Sequence, residues 1–153
     1  MYENKKNIKT GGYKQSISDI DRINASISDE RKRQLDALFG ALCTVSWGGY
    51  IFLCDMRFDY SRWSLSLVDD FGMPSEYMYH ANRLWLEKIH PEDVEHYKRV
   101  VDAPFMNNME NFQSYIYRAK RADGRYVSLT FREFILNDGN GNSDYFGGII
   151  IPV

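Results

Sequence analysis

Two runs of apolar residues in the first third of the chain recur at intervals of three and four positions, which is the period of one helix face. They are Ile20, Ile23 and Ile27, and then Leu35, Leu38, Leu42 and Val45. One heptad register cannot hold both runs, because Leu35 follows Ile27 by eight positions and residues 28–34 are all polar. The pattern fits either one long helix with a register skip or two helices with Ser28 capping the second.

The second run needs a surface that covers its apolar face, since an isolated helix of this length is marginally stable in water. The protein's own sheet or a second copy of the chain could supply that surface. The opposite face of the helix is expected to be exposed to solvent, and it carries Arg31, Lys32, Arg33 and Asp36. We expect a homodimer with this helix at its seam. The seam residues would be Leu35 and Leu38, with Leu42 and Val45 continuing the stripe.

Strand patterns begin after residue 46. Residues 50–56 (YIFLCDM) are apolar on both faces, as a central strand would be. Residues 59–65 predict a second strand after a short connection. Short helices are expected next, one of them starting at Met73-Pro74-Ser75-Glu76, where a proline costs no hydrogen bond. Trp85, Leu86 and Ile89 form an apolar turn that must pack inward.

A longer helix is predicted from Pro91 to about Phe105, because proline and acidic residues favour a helix start. Its apolar stripe is Val94, Tyr97, Val100 and Val101. Residues 112–121 and 125–136 then predict two long strands. In the second, Val127, Leu129 and Phe131 alternate with Ser128, Thr130 and Arg132. Residues 137–142 are a turn cluster, and 145–151 are expected to close the sheet.

This order of elements predicts an α+β fold. Two strands, several helices and three strands require an antiparallel sheet with helices massed on one side, rather than a parallel sheet. We expect five strands with the first in the centre. The proposed division is a flexible tail (1–14), an N-terminal helical segment (15–45) and one folded domain (46–153).

Composition excludes several classes of protein. The chain of 153 residues is 44% hydrophobic and 15% aromatic, which suits one well-buried core. A net charge of −2 gives no electrostatic case for binding nucleic acid. No apolar run approaches the ~18 residues of a membrane span, so we expect a cytoplasmic protein without membrane insertion. Cys43 and Cys54 lie in apolar stretches, which predicts buried free thiols in a reducing compartment.

Two motifs point to a family. In the segment RLWLEKIHPEDVEHYKRVV (83–101), Trp85 is followed by a His-Pro-x-Asp helix start formed by His90, Pro91 and Asp93. In the segment FQSYIYRAKRADGRYVSL (112–129), an Arg-rich strand turns through Asp-Gly into a strand that opens on an aromatic residue. The matching positions are Tyr117, Arg118, Arg121, Asp123, Gly124 and Tyr126.

These motifs, and a final strand with Gly147-Gly148-Ile149-Ile150, make residues 46–153 resemble a PAS domain. The resemblance implies a PAS fold and a sensory or interaction module rather than an enzyme. Two departures stand out. Ser128 occupies a position where many PAS domains carry Trp, and Pro152-Val153 replace the Asp-Ile-Thr that often ends such domains. The second departure leaves the coupling to an output helix open.

Candidate sites for chemistry are few. His96 lies on the long helix, where some haem-binding PAS domains carry their iron ligand, but its charged neighbours indicate a solvated face. His90 is expected to stiffen the start of that helix. Neither cysteine has the Asn-Cys-Arg context of a flavin adduct, and residues 138–144 lack the glycine and glutamate of a calcium loop. No metal site, confirmed cofactor or catalytic constellation is predicted, so we expect no enzymatic activity in this chain.

The resemblance also implies a pocket between the inner face of the sheet and the short helices. Its expected walls are Phe52, Cys54, Met73, Tyr77, Met78, Leu84, Val127 and Leu129. We favour a core filled by these side chains over a pocket for an unknown small ligand, because no polar group clearly converges there.

The expected function is that of a cytoplasmic PAS sensory and dimerisation module in a bacterial signal-transduction protein. The output domain outside this chain is expected to be a diguanylate cyclase, with a histidine kinase as the second choice. A haem- or flavin-binding sensor is the alternative.

Overall fold

The structure is a computed structural model that describes residues 25–107 and 115–153, with backbone only for residues 104–107. Four helices accompany six strands in these residues. The helices are α1 (Asp29–Val45), α2 (Leu65–Phe71), α3 (Ala81–Leu86) and α4 (Val94–Asn107). The strands are β1 (Tyr50–Asp55), β2 (Tyr60–Trp63), β3 (Tyr77–Tyr79), β4 (Tyr117–Lys120), β5 (Tyr126–Asn137) and β6 (Ser143–Pro152).

All strands form one antiparallel sheet in the order β3-β2-β1-β6-β5-β4. The predicted central position of β1 is confirmed, since β2 and β6 flank it and all six of its residues are buried. The two faces of β1 serve different cores. Phe52 and Cys54 join the core under α2, α3 and α4, while Ile51 and Leu53 join the core under α1.

The sheet has six strands rather than the predicted five. The additional strand is β3, and it follows the segment 73–76, where a helix start was wrongly expected. Gly72 ends α2 with a φ of 68°, and the Trp63 amide then donates to the Glu76 carbonyl at 2.8 Å. That bond aligns the chain with β2, so Pro74 lies in a loop before a strand and not at a helix start.

The hairpin predictions hold in outline. Gly124 has a φ of 91° in the turn between β4 and β5, and its amide donates to the Arg121 carbonyl at 2.9 Å. The strand β4 begins at Tyr117 rather than at residue 112; residues 115 and 116 are not in a strand, and 112–114 lie outside the described residues. Between β5 and β6, Asp138 accepts from the Asn140 and Asn142 amides, as expected for a turn.

Close contact between β5 and β6 requires glycine in β6. Gly148 pairs with Glu133 on one side and with Phe52 on the other. A Cβ at position 148 would overlap the Arg132 carbonyl oxygen. A side chain at this position would therefore force the two longest strands of the sheet apart.

The helix α1 begins after Ser28, whose hydroxyl accepts from the Arg31 amide at 3.2 Å. Residues 25–28 are not helical, so one uninterrupted helix through Ile27 and Leu35 is excluded, and Ser28 caps α1 as the two-helix alternative predicted. Ile20 and Ile23 lie outside the described residues, as do the predicted tail (1–14) and residues 15–24 of the predicted helical segment.

The apolar stripe of α1 covers the outer face of the protein's own sheet. Leu35 is fully buried there with Phe39, while Leu38 and Leu42 are half-buried and Val45 is exposed. Arg31 was expected to face water, but it is half-buried: its Nε donates to Asp55 Oδ2 and its Nη2 to Asp144 Oδ1, both at 2.8 Å.

Candidate ligand-binding cavity

A cavity of about 30 Å³ lies between the inner face of the sheet and the helices α3 and α4. Nearly half of the residues in its wall are aromatic, and the remainder are small, aliphatic or polar. The aromatic residues are Phe52, Trp63, Trp85, Tyr97, Tyr117, Phe131 and Phe146. The others are Cys54, Asp59, Ser61, Ala81, Asn82, Val101, Glu133 and Ile150.

The aromatic rings pack edge to face or tilted. The ring centroids of Trp63 and Trp85 are 5.4 Å apart, and those of Trp85 and Tyr117 are 6.5 Å apart at 86°. Tyr97 lies 4.8 Å from Tyr117. Such geometry is favoured by the ring quadrupoles and holds the rings in fixed positions. The cavity therefore has rigid walls on its helical side.

Glu133 is an acidic residue on the inner face of β5. It follows Leu129 and Phe131 at two-residue intervals, so the pleat turns its side chain towards the core. Its exposed fraction is 7%, and its Oε2 has no hydrogen-bond partner among the described residues. Burial raises the pKa of Glu133 to about 9, and the charge of Asp102 adds to the shift. The carboxyl group is therefore neutral at pH 7.

Three further buried polar atoms belong to residues of the cavity wall and make no close hydrogen bond among the described residues. They are Trp63 Nε1, Trp85 Nε1 and Tyr117 OH. Trp85 Nε1 has at most a weak bond to the Tyr97 and Tyr117 hydroxyls. Burial raises the pKa of Tyr117 and of Tyr97 above the ordinary tyrosine range. A buried polar atom without a partner costs about 1–3 kcal/mol. The cavity wall therefore includes residues with buried polar groups that were not among the predicted pocket residues.

An Asp-His pair lies beside the cavity. Asp59 lines the wall, is 1% exposed, and its Oδ2 is 2.6 Å from His80 Nδ1. Both residues have positive φ, 51° and 57°, a conformation that costs energy in residues with a Cβ. The His80 amide also donates to the Asp59 carbonyl at 3.0 Å. The two residues thus hold each other in a strained backbone geometry.

The predicted pocket residues are dispersed in the structure. Phe52 and Cys54 line the cavity. The other core residues are buried or partly buried in the same core without lining it, and they are Met73, Met78, Leu84, Val127 and Leu129. Tyr77 is half-buried elsewhere, where its hydroxyl donates to Asp36 Oδ1 at 2.8 Å. Cys54 is buried, but Cys43 is exposed on α1, contrary to prediction.

The two histidines near the start of α4, His90 and His96, have separate surroundings. His96 is exposed, and its ring lies 4.3 Å from that of Tyr115. His90 Nδ1 accepts from the Glu92 amide at 3.1 Å, which stiffens the turn before α4 as expected. Within residues 25–107 and 115–153, no three His, Cys, Asp or Glu side chains group as metal ligands would.

The His-Pro-x-Asp motif ties the start of α4 to β4. Asp93 Oδ2 accepts from the Arg118 amide and Nε, and Asp93 Oδ1 accepts from Arg118 Nη2, all at 2.9 Å. The hydrogen bonds from the Arg118 side chain lower the pKa of Asp93. The motif therefore has a structural role, because it joins the hairpin of β4 and β5 to α4, the helix that carries Tyr97.

Comparisons with known proteins agree with this architecture. The family model described as PAS fold (PAS_3) matches residues 60–150. A sensory box histidine kinase/response regulator from Burkholderia thailandensis is similar at a TM-score of 0.56 and 15% identity, covering 74% of this chain and 81% of that one. The N-terminal domain of a diguanylate cyclase with PAS/PAC sensor from Marinobacter aquaeolei has a TM-score of 0.57 and 18% identity, covering 69% and 94%.

A third similar structure is a light-oxygen-voltage domain from work on a flavin analogue, with a TM-score of 0.53 and 17% identity, covering 76% of this chain and 84% of that one. No curated protein matches the sequence. The helices of the described residues are too short or too polar to cross a bilayer. Because the family match extends over more than half of the chain, the protein belongs to the PAS-fold family.

Proposed function

We propose that the chain is a cytoplasmic sensory and dimerisation module of a bacterial signal-transduction protein. In this proposal it regulates a diguanylate cyclase domain outside the given chain, with a histidine kinase as the second choice of output. No catalytic step is assigned to the chain itself. The fold similarity to sensor domains of both kinds of protein supports this choice.

The observation that carries the proposal is the double role of β1. Alternate side chains of this strand reach opposite faces of the sheet, because strand residues alternate sides. Phe52 and Cys54 line the cavity, while Leu53 packs under α1 and Asp55 binds Arg31 of that helix. A shift of β1 caused by a change in the cavity would therefore move the contacts that hold α1.

A spin label on Cys43 tests this coupling. Cys43 is exposed on α1 and Cys54 is buried, so a thiol reagent should modify Cys43 selectively. We expect Phe131→Leu, which widens the cavity, to change the mobility of the label. Ile89→Val is the control, because Ile89 is buried in the same core without lining the cavity. Identical spectra for Phe131→Leu and the wild type would refute coupling from the cavity to α1.

The output is tested separately by the coding sequence on either side of this chain. A diguanylate cyclase domain in the same reading frame is the expected result. A histidine kinase domain would favour the second choice, and a frame with neither would overturn the assignment of an output domain.

Dimerisation through α1 also remains part of the proposal, but with different interface residues from Leu35 and Leu38. Leu35→Asp would disrupt the packing of α1 on its own sheet, so it does not isolate association. Val45 and Trp47, at 71% and 102% exposure, are the available apolar residues at the end of the helix. We expect a dimer in light scattering that Val45→Asp/Trp47→Ser dissociates and that Ala37→Asp, at another exposed position of α1, does not. A monomeric wild type would refute it.

The haem or flavin sensor is the alternative, and the similarity to a light-oxygen-voltage domain is its support. The cavity of about 30 Å³ has room for about two or three water molecules. Either cofactor would therefore require the helices to move away from the sheet. An absorption spectrum of the freshly purified protein separates the two proposals, since a Soret or flavin band would favour the alternative.

A further inference from the structure

We propose that the cavity between β5 and the helices α3 and α4 binds a small neutral primary amide, of which formamide is the simplest. This inference rests on the proposed function and deepens it, because it names the class of molecule that the cavity would sense. It is carried by the hydrogen-bonding groups of the cavity wall, by their charges and by the cavity's size.

The hydrogen-bonding groups come from three residues that are each more than nine-tenths buried. Trp85, Tyr117 and Glu133 line the cavity. Glu133 Oε2 has no hydrogen-bond partner among the described residues, and Trp85 Nε1 has at most a weak bond to the Tyr117 and Tyr97 hydroxyls. An indole N–H only donates, and a neutral carboxyl group offers one O–H and one carbonyl oxygen. A primary amide presents one carbonyl and two N–H groups in one plane. It can therefore pair with the Glu133 acid through two hydrogen bonds and accept a third from Trp85 or Tyr117.

The charged and polar residues of the cavity wall disfavour ions that have the same shape as a primary amide. Glu133 and Asp59 line the cavity, Asp102 lies close to Glu133, and no Lys or Arg is among the described residues of the wall. An anion would lie beside acidic groups with no cationic side chain of the described wall to balance its charge. A cation such as formamidinium has no acceptor for the hydrogen bonds that Trp63, Trp85 and Tyr117 can donate. A neutral molecule that both donates and accepts satisfies more of these groups.

The size and shape of the cavity limit how large the ligand can be. A volume of about 30 Å³ admits roughly one to three non-hydrogen atoms. The walls are flat aromatic faces, with the rings of Trp63 and Trp85 5.4 Å apart at 58°. A planar amide of three non-hydrogen atoms can lie against such a face. Larger amides would require movement of α3 or α4.

Three probes of equal shape and different charge test the proposal: formamide, formate and formamidinium. The protein contains three tryptophans, and Trp47 is fully exposed, so Trp47→Phe leaves the two cavity indoles as reporters. We expect a saturable change in fluorescence with formamide in the millimolar range, because so small a ligand cannot bind much more tightly. Formate and formamidinium at the same concentrations and ionic strength should give no saturable change.

Two variants assign the binding to the cavity. Glu133→Leu removes both hydrogen bonds of the acid and should weaken formamide at least tenfold. Tyr117→Phe removes one hydroxyl and should weaken it several-fold while the core stays filled. Glu95→Gln is the control, because Glu95 is 81% exposed on α4 and should leave the affinity unchanged. Circular dichroism spectra that match the wild type show that each variant is folded.

Three results would overturn the proposal: no saturable response to formamide, a response to formamidinium or formate of equal strength, or equal affinity in Glu133→Leu. A failure of the proposed sensory function can be distinguished from a failure of the ligand proposal. If formamide binds but the spin label on Cys43 does not respond to it, the ligand class stands and the coupling to α1 is refuted. If formamide does not bind but Phe131→Leu shifts the label, the coupling stands and the ligand class is refuted.

Discussion

Each face of the sheet buries one acidic residue, and the two residues differ in whether their carboxyl oxygens have hydrogen-bond partners. On the outer face, Asp55 is fully buried, and it accepts from Arg31 Nε at 2.8 Å and from the Arg57 amide at 2.9 Å. On the inner face, Glu133 is 7% exposed and its Oε2 has no partner among the described residues. The outer acid holds α1 to the sheet, whereas the inner acid has hydrogen-bonding capacity to offer to another molecule.

Only their hydrogen bonds distinguish Asp55, which has a structural role, from Glu133, which is a candidate binding group. Both residues lie on long interior strands and both are acidic, so neither burial nor residue type distinguishes them. An ion pair that is complete within the protein stabilises one arrangement of α1. A neutral acid without a hydrogen-bond partner in an aromatic cavity costs stability, and a ligand that paired with it would remove that cost.

Arg31→Met should have the largest effect, because it leaves Asp55 as a buried charge without its cation. Removing one partner of a buried ion pair costs about 3–5 kcal/mol. Denaturant unfolding of Arg31→Met measures this loss in the free energy of unfolding. Arg33→Met is the matched control, because Arg33 is exposed two positions further along α1. The comparison of the two faces would fail if both variants were equally stable.

Glu133→Gln should stabilise the protein at neutral pH. The pKa of Glu133 is about 9 in the folded protein against an ordinary value of 4.5. Between these values the folded state binds one proton more than the unfolded state, so the stability that this group contributes falls as the pH rises. The loss is about 1.4 kcal/mol per pH unit, or about 3 kcal/mol at pH 7 relative to pH 4.5.

Unfolding free energies from pH 5 to pH 8 measure this difference. The wild type should become less stable relative to Glu133→Gln as the pH rises, and the two should converge near pH 4.5. Glu95→Gln, exposed on α4, should follow the wild type throughout. Parallel curves for the wild type and Glu133→Gln would mean that Glu133 is solvated or paired, and the contrast with Asp55 would disappear.

The sequence predicted the parts of the fold that depend on local pattern. The double apolar face of β1, the presence of α4 and the Asp-Gly turn are all properties of a few adjacent residues, although α4 begins at Val94 rather than at the predicted Pro91. The strand β3 was missed because its three residues are fixed by hydrogen bonds to β2 rather than by their own pattern. Short edge strands of this kind have little sequence signal.

The candidate site was predicted less well, for two physical reasons. Glu133 continues the two-residue alternation of Leu129 and Phe131, but an acidic residue is normally solvated. Following the alternation one step further would have placed it inside. Arg31 was assigned to water because it lies in a polar run, and its partners Asp55 and Asp144 are 24 and 113 positions away. No local pattern reports contacts at such separations.

Gly124→Val should have the smallest effect and serves as a reference for both faces. Gly124 has a φ of 91° in the turn between β4 and β5, and a Cβ there would meet no atom within 4 Å. The cost is therefore backbone strain alone, about 1 kcal/mol in the free energy of unfolding. Because the substitution adds no charge and alters neither core, the loss should be the same from pH 5 to pH 8. The spin label on Cys43 should also keep its mobility. A loss that grew with pH, or a change at the label, would show that the hairpin turn is coupled to Glu133 or to α1, and Gly124→Val could no longer serve as a reference.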